Sequence, residues 1–244
     1  MTAWLDADGH FFNPQATLSL VPLRQGQICV VVDNALANPQ ALVDWACGHA
    51  FAAPVGYPYP GLVLDAPAKI AQRMADFFAV HVRKLLGARR TLDQTLRLSM
   101  VTLAPSELQP LQWQCHRDRV ADDPRAVLFA ASVLYLFRNP GLGGTSFYRP
   151  LKSATDTDRM LVDSQSLGAS EFSAQHGVSQ GYMAGSNPYF ERIAQLPAAW
   201  NRAIFYDGGL FHSADVNHPE LLSADPVQGR LTLNGFFTCK RNAD

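Results

Sequence analysis

From Thr91 onward the chain is written mostly as short β-forming runs broken by glycine and proline turns, and nothing else in it limits the fold as much. Leu96, Leu98, Met100 and Thr102 alternate with Arg97, Ser99 and Val101, close to the period of two of a strand with one buried face. Trp113 to Arg119 reads as a further short strand. Val127 to Phe137 is a long apolar run of β formers, and the turn Asn139-Pro-Gly-Leu-Gly-Gly144 closes it. Ala203 to Tyr206 and Arg230 to Thr238 complete the series. Many short strands separated by such turns predict a sandwich or barrel, not a parallel α/β sheet.

The first ninety residues supply support for that sheet. Gln27 to Asp33 is β-branched and apolar, a buried strand. Asn38 then offers an N-cap and Pro39 a first helical residue, which predicts a helix through about Gly48. After the Pro/Gly/Tyr-rich stretch Pro54 to Gly61, Asp65 and Pro67 start a second helix. Its Ile70, Met74, Phe77, Phe78, Val82 and Leu85 fall at helical spacing, and Gly87 ends it. Lys152 to Gln195 is different in character: rich in Ser, Gln, Gly and Asp, without strong periodicity. A connection of that length is expected to be an insertion or an active-site lid, with Arg159, His176, Tyr182 and Tyr189 as its candidate substrate contacts. No internal repeat or interdomain linker stands out. The expected organisation is one domain over 1–244, with 1–90 as strand and supporting helices and 91–240 as the β core.

Charge narrows the function classes. Twenty Lys and Arg against 21 Asp and Glu give a net charge of -1, so no basic excess is available for phosphate contacts, and a dedicated nucleic-acid binder is disfavoured. Charged residues make up 17%, below the roughly 25% usual in soluble domains. That balance suits a compact interior with a buried site or a subunit interface, such as that of a homodimer. Met1 to Asn13 carries Asp6 and Asp8 and no basic segment, so it does not read as a signal peptide. The longest apolar stretch is too short to span a bilayer. Cys29, Cys47, Cys115 and Cys239 form no CxxC pair, which argues against a zinc knuckle or a disulfide framework and for a cytoplasmic protein with reduced thiols. Cys115, although next to His116, is expected to be a buried small hydrophobe.

The residues that carry chemistry are His116, Asp118, His212 and Arg230. His116 and Asp118 are two apart, which on a strand aims both at one face. His212 follows another strand much later, after Tyr206-Asp-Gly-Gly. Two imidazoles and a carboxylate can take one face of a metal and leave the opposite positions open, the donor set of non-haem Fe(II) oxygenases. Arg230 and Thr232 share a strand face, and a guanidinium beside a hydroxyl can hold a carboxylate through charge-assisted hydrogen bonds.

On these residues the sequence resembles the Fe(II)/2-oxoglutarate-dependent dioxygenase superfamily, nearest its prolyl-hydroxylase-like branch. The resemblance runs from about residue 27 to 240. It includes Val31-Val-Asp33 and the helix after it, His116-Arg-Asp118, Val133 to Phe137 with Gly143-Gly-Thr-Ser-Phe-Tyr148, Phe205 to Val216, and Gly229-Arg-Leu-Thr-Leu-Asn-Gly-Phe236. It implies a mainly β fold, with a double-stranded β-helix (a cupin-like jelly roll) packed by N-terminal helices. It implies Fe(II) held by His116, Asp118 and His212, and 2-oxoglutarate anchored by Arg230 with Thr232 assisting. Tyr135, Ser99 and Thr102 are further candidates for the co-substrate. The implied reaction consumes dioxygen, releases succinate and CO2, and hydroxylates a small molecule, an amino acid or a protein side chain. Two features depart from the family pattern. Arg230 follows His212 by 18 positions, a longer gap than the family's common spacing, through an apparent insertion at Asn217 to Gln228, and the strand before His116 lacks the branch's Tyr and Gly pattern.

Other readings fit less well. His116-Arg-Asp118 matches a kinase HRD loop, but Asp123 stands where that loop needs Asn, and neither DFG nor a glycine-rich loop is present. No GxSxG elbow supports a serine hydrolase. His218-Pro219 reads as a surface turn and Asp207 as a turn residue. His10, His49, His81 and His176 have no partner at ligand spacing and read as structural or exposed. A non-catalytic jelly-roll binding module and a cupin-type metalloprotein that uses no 2-oxoglutarate are the competing classes. Retention of all four residues argues against the first, and Arg230 against the second.

Overall fold

The computed structural model describes residues 4–241, so the outermost residues of the expected domain, 1–3 and 242–244, lie outside the described residues. Ten strands form two antiparallel sheets, with four α-helices beside them. The strands are β1 (Thr17–Pro22), β2 (Ile28–Asp33), β3 (Gly61–Asp65), β4 (Ala88–Val101), β5 (Val127–Tyr135), β6 (Thr145–Pro150), β7 (Phe190–Leu196), β8 (Ala203–Asp207), β9 (Phe211–Ala214) and β10 (Arg230–Arg241). The helices are α1 (Pro39–Cys47), α2 (Ala68–Phe77), α3 (Ala154–Ser166) and α4 (Ala169–His176). A seven-stranded sheet runs β1-β2-β8-β5-β10-β4-β3, and a three-stranded sheet runs β7-β6-β9.

Side-chain alternation sorts these elements into layers. Along β4 and β10, Leu96, Leu98, Met100, Leu231, Leu233 and Phe237 face outward onto α1 and α2 and form the largest apolar cluster. Phe78 lies flat on Phe237 with centroids 4.0 Å apart. The opposite face of the large sheet looks at the small sheet. Tyr135, Ile204 and Tyr206 meet Phe147 there, in a second cluster. Behind the small sheet, Met160 and Phe172 from α3 and α4 pack with Trp113, Tyr148, Phe190 and Phe211.

Local signals account for much of this. Asn38 accepts a hydrogen bond from the Ala41 N–H, Pro39 opens α1, and Gly48 follows its end, as predicted. The second predicted helix begins at Ala68 and widens into a π-helical turn, Phe78–Val82, before Gly87. Three expectations need correction. Trp113 to Arg119 is not a strand: Pro110–Trp113 is a 3-10 turn, and only His116 bridges, to His212. β9 is 4 residues long and the Gly208-Gly209 turn precedes it, so no edge exists for a longer pairing. Lys152 to Gln195 is not an aperiodic connection but contains α3, α4 and β7. The buried stripe of α3 is Thr157, Met160 and Ser164, two polar residues and one apolar, too weak a pattern to announce a helix. Finally, β1 and β3 form strands in stretches where none was expected.

Candidate metal centre

The chain through His116 runs antiparallel to β9. His116 N–H donates to the His212 carbonyl and His212 N–H to that of His116, both at 2.9 Å. Two residues on, Asp118 N–H donates to the Gly208 carbonyl at 2.9 Å. This ladder brings His212 beside His116 and Asp118, which precede it by ninety-odd positions in the sequence. His116 Nε2 is 3.7 Å from Asp118 Oδ1, and His212 Nε2 is 3.5 Å from Asp118 Oδ2. The imidazole centroids are 4.5 Å apart. His212 Nδ1 donates to the Leu210 carbonyl at 2.8 Å, which leaves Nε2 free as a lone-pair donor.

Gly208 makes room for the carboxylate. A Cβ there would stand 3.0 Å from both Asp118 Oδ2 and the Phe129 carbonyl. Asp118 Oδ2 is buried and makes no hydrogen bond. Such an atom costs roughly 1–3 kcal/mol unless a donor or cation meets it. One ligand atom from each of the three residues can be chosen so that all lie within 4.8 Å of one another, and ligand atoms about 2.1 Å from an ion in neighbouring coordination positions stand about 3 Å apart, so modest side-chain rotation would draw this set onto a metal ion. The residues fit one. A second grouping, Asp6, Asp8 and His10, is a surface turn in which Asp6 Oδ1 caps the N–H groups of Asp8 and His10.

Electrostatics supports the same picture. Burial pushes Asp118 up, but the charge and hydrogen bond of His212, with the charges of His116 and Arg97, together outweigh it and hold the carboxyl below 3.8. His212 is lowered by burial and lifted more by Asp118 and the Leu210 carbonyl, to a value above 6.5. His116 is pulled down to about 4, by desolvation and by repulsion from His212. Since 55% of its side chain is open to solvent, the repulsion is the sturdier of those two causes.

Along the inner face of the large sheet, cross-strand register continues the site. Thr232 stands between Ser99 and Tyr135, and Asn234 between Arg97 and Val133. Arg230, 3% exposed, opens this row. Its Nε donates to the carbonyls of Leu142 (3.0 Å) and Gly143 (3.3 Å), and Nη2 to that of Gly144 (2.6 Å). Among the described residues no carboxylate lies within 4.0 Å of it. Thr232 Oγ1 donates to the Ser99 carbonyl at 3.3 Å, and Tyr135 shares a 2.8 Å hydrogen bond with Thr145. Tyr206 relates the two groups: its ring lies 4.8 Å from that of His212, and the charges of both Asp118 and Arg230 act on its buried hydroxyl. Thr102 lies just past β4, where its N–H bonds the Pro60 carbonyl.

The remaining sequence candidates fall elsewhere. His218 is exposed and paired with Glu220, and Asp207 bonds Arg241 and the Gly209 N–H. His176 is buried between Asp163 (3.0 Å) and Tyr189 (2.7 Å) in a bond network of the helical segment. Tyr182 donates to the Leu103 carbonyl, and Arg159 is exposed on α3. Cys115 is fully buried. Sequence reasoning gave no role to Arg97, Asn234 or Tyr59. Arg97 and Asn234 occupy inward positions of strands whose other face is apolar, and a polar residue at such a position was the available signal.

Comparison with solved structures finds similarity to a Pseudomonas putida prolyl-4-hydroxylase, with 15% identity, all of both chains covered and a TM-score of 0.39. The chain is also similar to SnoN, a non-heme alpha-ketoglutarate-dependent epimerase from nogalamycin biosynthesis, with 11% identity, 88% of this chain and 80% of that one covered, and a TM-score of 0.45. HygX from Streptomyces hygroscopicus, solved with nickel, 2-oxoglutarate and hygromycin B bound, shows 9% identity over 86% and 82% of the two chains at a TM-score of 0.44. No curated protein matches. Residues 14–237 match the model of a family of unknown function, DUF6445, and the chain belongs to that family.

Proposed function

We propose that this protein is an Fe(II)/2-oxoglutarate-dependent dioxygenase of the hydroxylase type, with its two sheets forming a double-stranded β-helix. One observation carries the reading: two charged groups lie on the inner side of the sheets, and the charges of both act on the buried Tyr206 hydroxyl; in this reading they bound one recess between the sheets. At one end His116, Asp118 and His212 present a carboxylate oxygen without a hydrogen bond and a free imidazole nitrogen, donors suited to a cation. At the other, the buried Arg230 guanidinium has neutral carbonyls around it and suits an anion. A dicarboxylate whose keto-acid end ligates a metal completes both.

In this reading His116, Asp118 and His212 hold Fe(II), and Arg230 holds the far carboxylate of 2-oxoglutarate. When bound, iron supplies the redox chemistry by which dioxygen oxidises 2-oxoglutarate to succinate and CO2 and hydroxylates a substrate C–H bond. The chain's own contribution is geometry. The carbonyls of Leu142, Gly143 and Gly144 fix the guanidinium, so its remaining N–H groups are oriented before the ligand arrives. Tyr135, tied to Thr145, and Thr232, tied to Ser99, line the same floor, and Tyr206 and Phe147 wall off water near His212. The stretch after α4, where Tyr182 bonds the Leu103 carbonyl, serves as the cover of the recess.

The test is turnover of 2-oxoglutarate to succinate in air with added Fe(II), comparing wild type with His116→Ala and Arg230→Ala. Wild type is expected to turn over even without its substrate, and both variants to lose this by about 100-fold or more. Binding of neither metal nor 2-oxoglutarate would turn the reading to a binding module. Metal binding without 2-oxoglutarate would turn it to a cupin-type metalloprotein.

A further inference from the structure

A second cation lies on the same inner face and the proposed reaction does not use it. Arg97 lies on the inner face of β4, directly across from Asn234 on β10. Its guanidinium contacts two aromatic rings, with Cζ 4.3 Å from the Tyr57 centroid and 4.7 Å from that of Phe236. Contacts of this kind hold a guanidinium by its π surface and leave its N–H groups available for hydrogen bonds. Arg97 Nε is buried and has no hydrogen-bond partner. Asp65 is its register neighbour on β3, yet no carboxylate lies within 4.0 Å of Arg97 among the described residues.

The surroundings repeat the pattern. Asn234 Oδ1 is buried and also lacks a partner, so a second polar group on this face is available to a ligand. Phe236, Val133 and Phe129, on the same face, are only half-buried and provide an apolar floor. The site is close to the proposed metal but separate from the Arg230 cradle. The charge of Arg97 reaches both His116 and Asp118, and the hydroxyl of Tyr59 feels both Arg230 and Arg97.

We infer that Arg97 and Asn234 form the substrate seat: Arg97 takes a carboxylate of the substrate, and Asn234 Oδ1 accepts an N–H or O–H next to it. The substrate class is therefore a carboxylic acid with a neighbouring hydrogen-bond donor and an apolar body that lies on Phe236. This rests on the proposed function for its chemistry, but not for its binding test.

The probes are N-acetyl-L-phenylalanine and its uncharged C-terminal amide, titrated calorimetrically into Ni(II)-loaded protein with and without saturating 2-oxoglutarate. The acid is expected to bind at least about 10-fold more tightly than the amide, the value of one charge-assisted hydrogen bond. Arg97→Gln removes that preference, Arg97→Lys restores part of it, and both keep 2-oxoglutarate affinity within about 2-fold. Circular dichroism checks that each variant is folded. Equal binding of acid and amide, or no binding of either, overturns the inference. So does an Arg97→Gln variant that loses 2-oxoglutarate instead, since Arg97 would then serve the co-substrate. A protein that binds no 2-oxoglutarate but keeps the acid preference through Arg97 refutes the oxygenase reading and leaves the anion seat standing.

Discussion

Asp118 and His212 show how a site is tuned one residue at a time. Each is buried, each would lose its charge alone, and together they keep it: Asp118 sits below its usual 3.8 and His212 above 6.5. In the metal-free protein the stabilising effect of Asp118 is present above pH 3.8 and lost as pH falls through its lowered value. That of His212 is present below pH 6.5 and lost as pH rises through its raised value. The pair is therefore at full strength between about 4 and 6.5. We expect thermal melts of metal-free wild type to show a fall in Tm above that window that Asp118→Asn lacks. Metal binding must displace the same His212 proton. Apparent Ni(II) affinity, measured by calorimetry, should be level above the raised His212 value and fall about tenfold per pH unit below it. His116, held near 4, stays neutral there and adds no second slope until more acidic conditions. At this scale the sequence was informative about identity. Residue type, spacing and order singled out His116, Asp118, His212 and Arg230, the residues the proposed function uses. Arg97 carried only the weaker signal of a polar residue opposite an apolar strand face, because its aromatic and cross-strand neighbours come together only when the sheet forms.

Short backbone elements decide whether those side chains meet. Gly208 lies where the chain of Asp118 and the end of β8 come closest, and any Cβ there presses on Asp118 Oδ2 and the Phe129 carbonyl. Gly208→Ala is expected to leave the fold intact by circular dichroism and to weaken Ni(II) binding by about 10- to 100-fold, the range seen when a ligand's support is disturbed. Gly143, at φ +74°, and Gly144 hold the carbonyls that cradle Arg230. Added Cβ atoms would stand 1.7 Å from the Asp215 carbonyl oxygen and 1.9 Å from that of Leu196. Gly144→Ala should lower unfolding stability by about 2–4 kcal/mol in a urea titration and weaken 2-oxoglutarate binding together with it. Elements with strong local signals were legible: α1 by Asn38 and Pro39, β5 by its run of β formers, the Gly143-Gly144 turn by composition. Those held by partners were not. β1 is an edge strand with most of its side chains exposed, and α3 buries only one apolar residue among its three, so neither carries the periodicity that reveals an element in isolation.

Across the whole molecule, the residues of the proposed site come from two sheets that share no strand. His212 belongs to the small sheet, Arg230 and Arg97 to the large one, and His116 to the segment crossing between them. A metal and a dicarboxylate bound together would tie the sheets to each other. Ni(II) with 2-oxoglutarate, each at about 100 times its Kd, should stabilise the fold by roughly 2.7 kcal/mol per ligand, read as a rise in Tm. Arg230→Ala should lose the part due to 2-oxoglutarate and keep the part due to metal. No helix among the described residues is long and apolar enough to cross a membrane, in line with the short apolar runs of the sequence. By itself the sequence determined the mainly β character, the supporting helices and the identity of the charged residues around which a site could form, because periodicity, turn chemistry and residue type are local properties. Only the tertiary structure decided that His116 bridges to His212 without a strand, that 152–195 forms two helices behind the small sheet and a strand within it, and that Arg97 and Arg230 lie on one face of the large sheet. Those depend on cross-strand register and on which face meets which, and both are settled by burial between segments far apart in the chain.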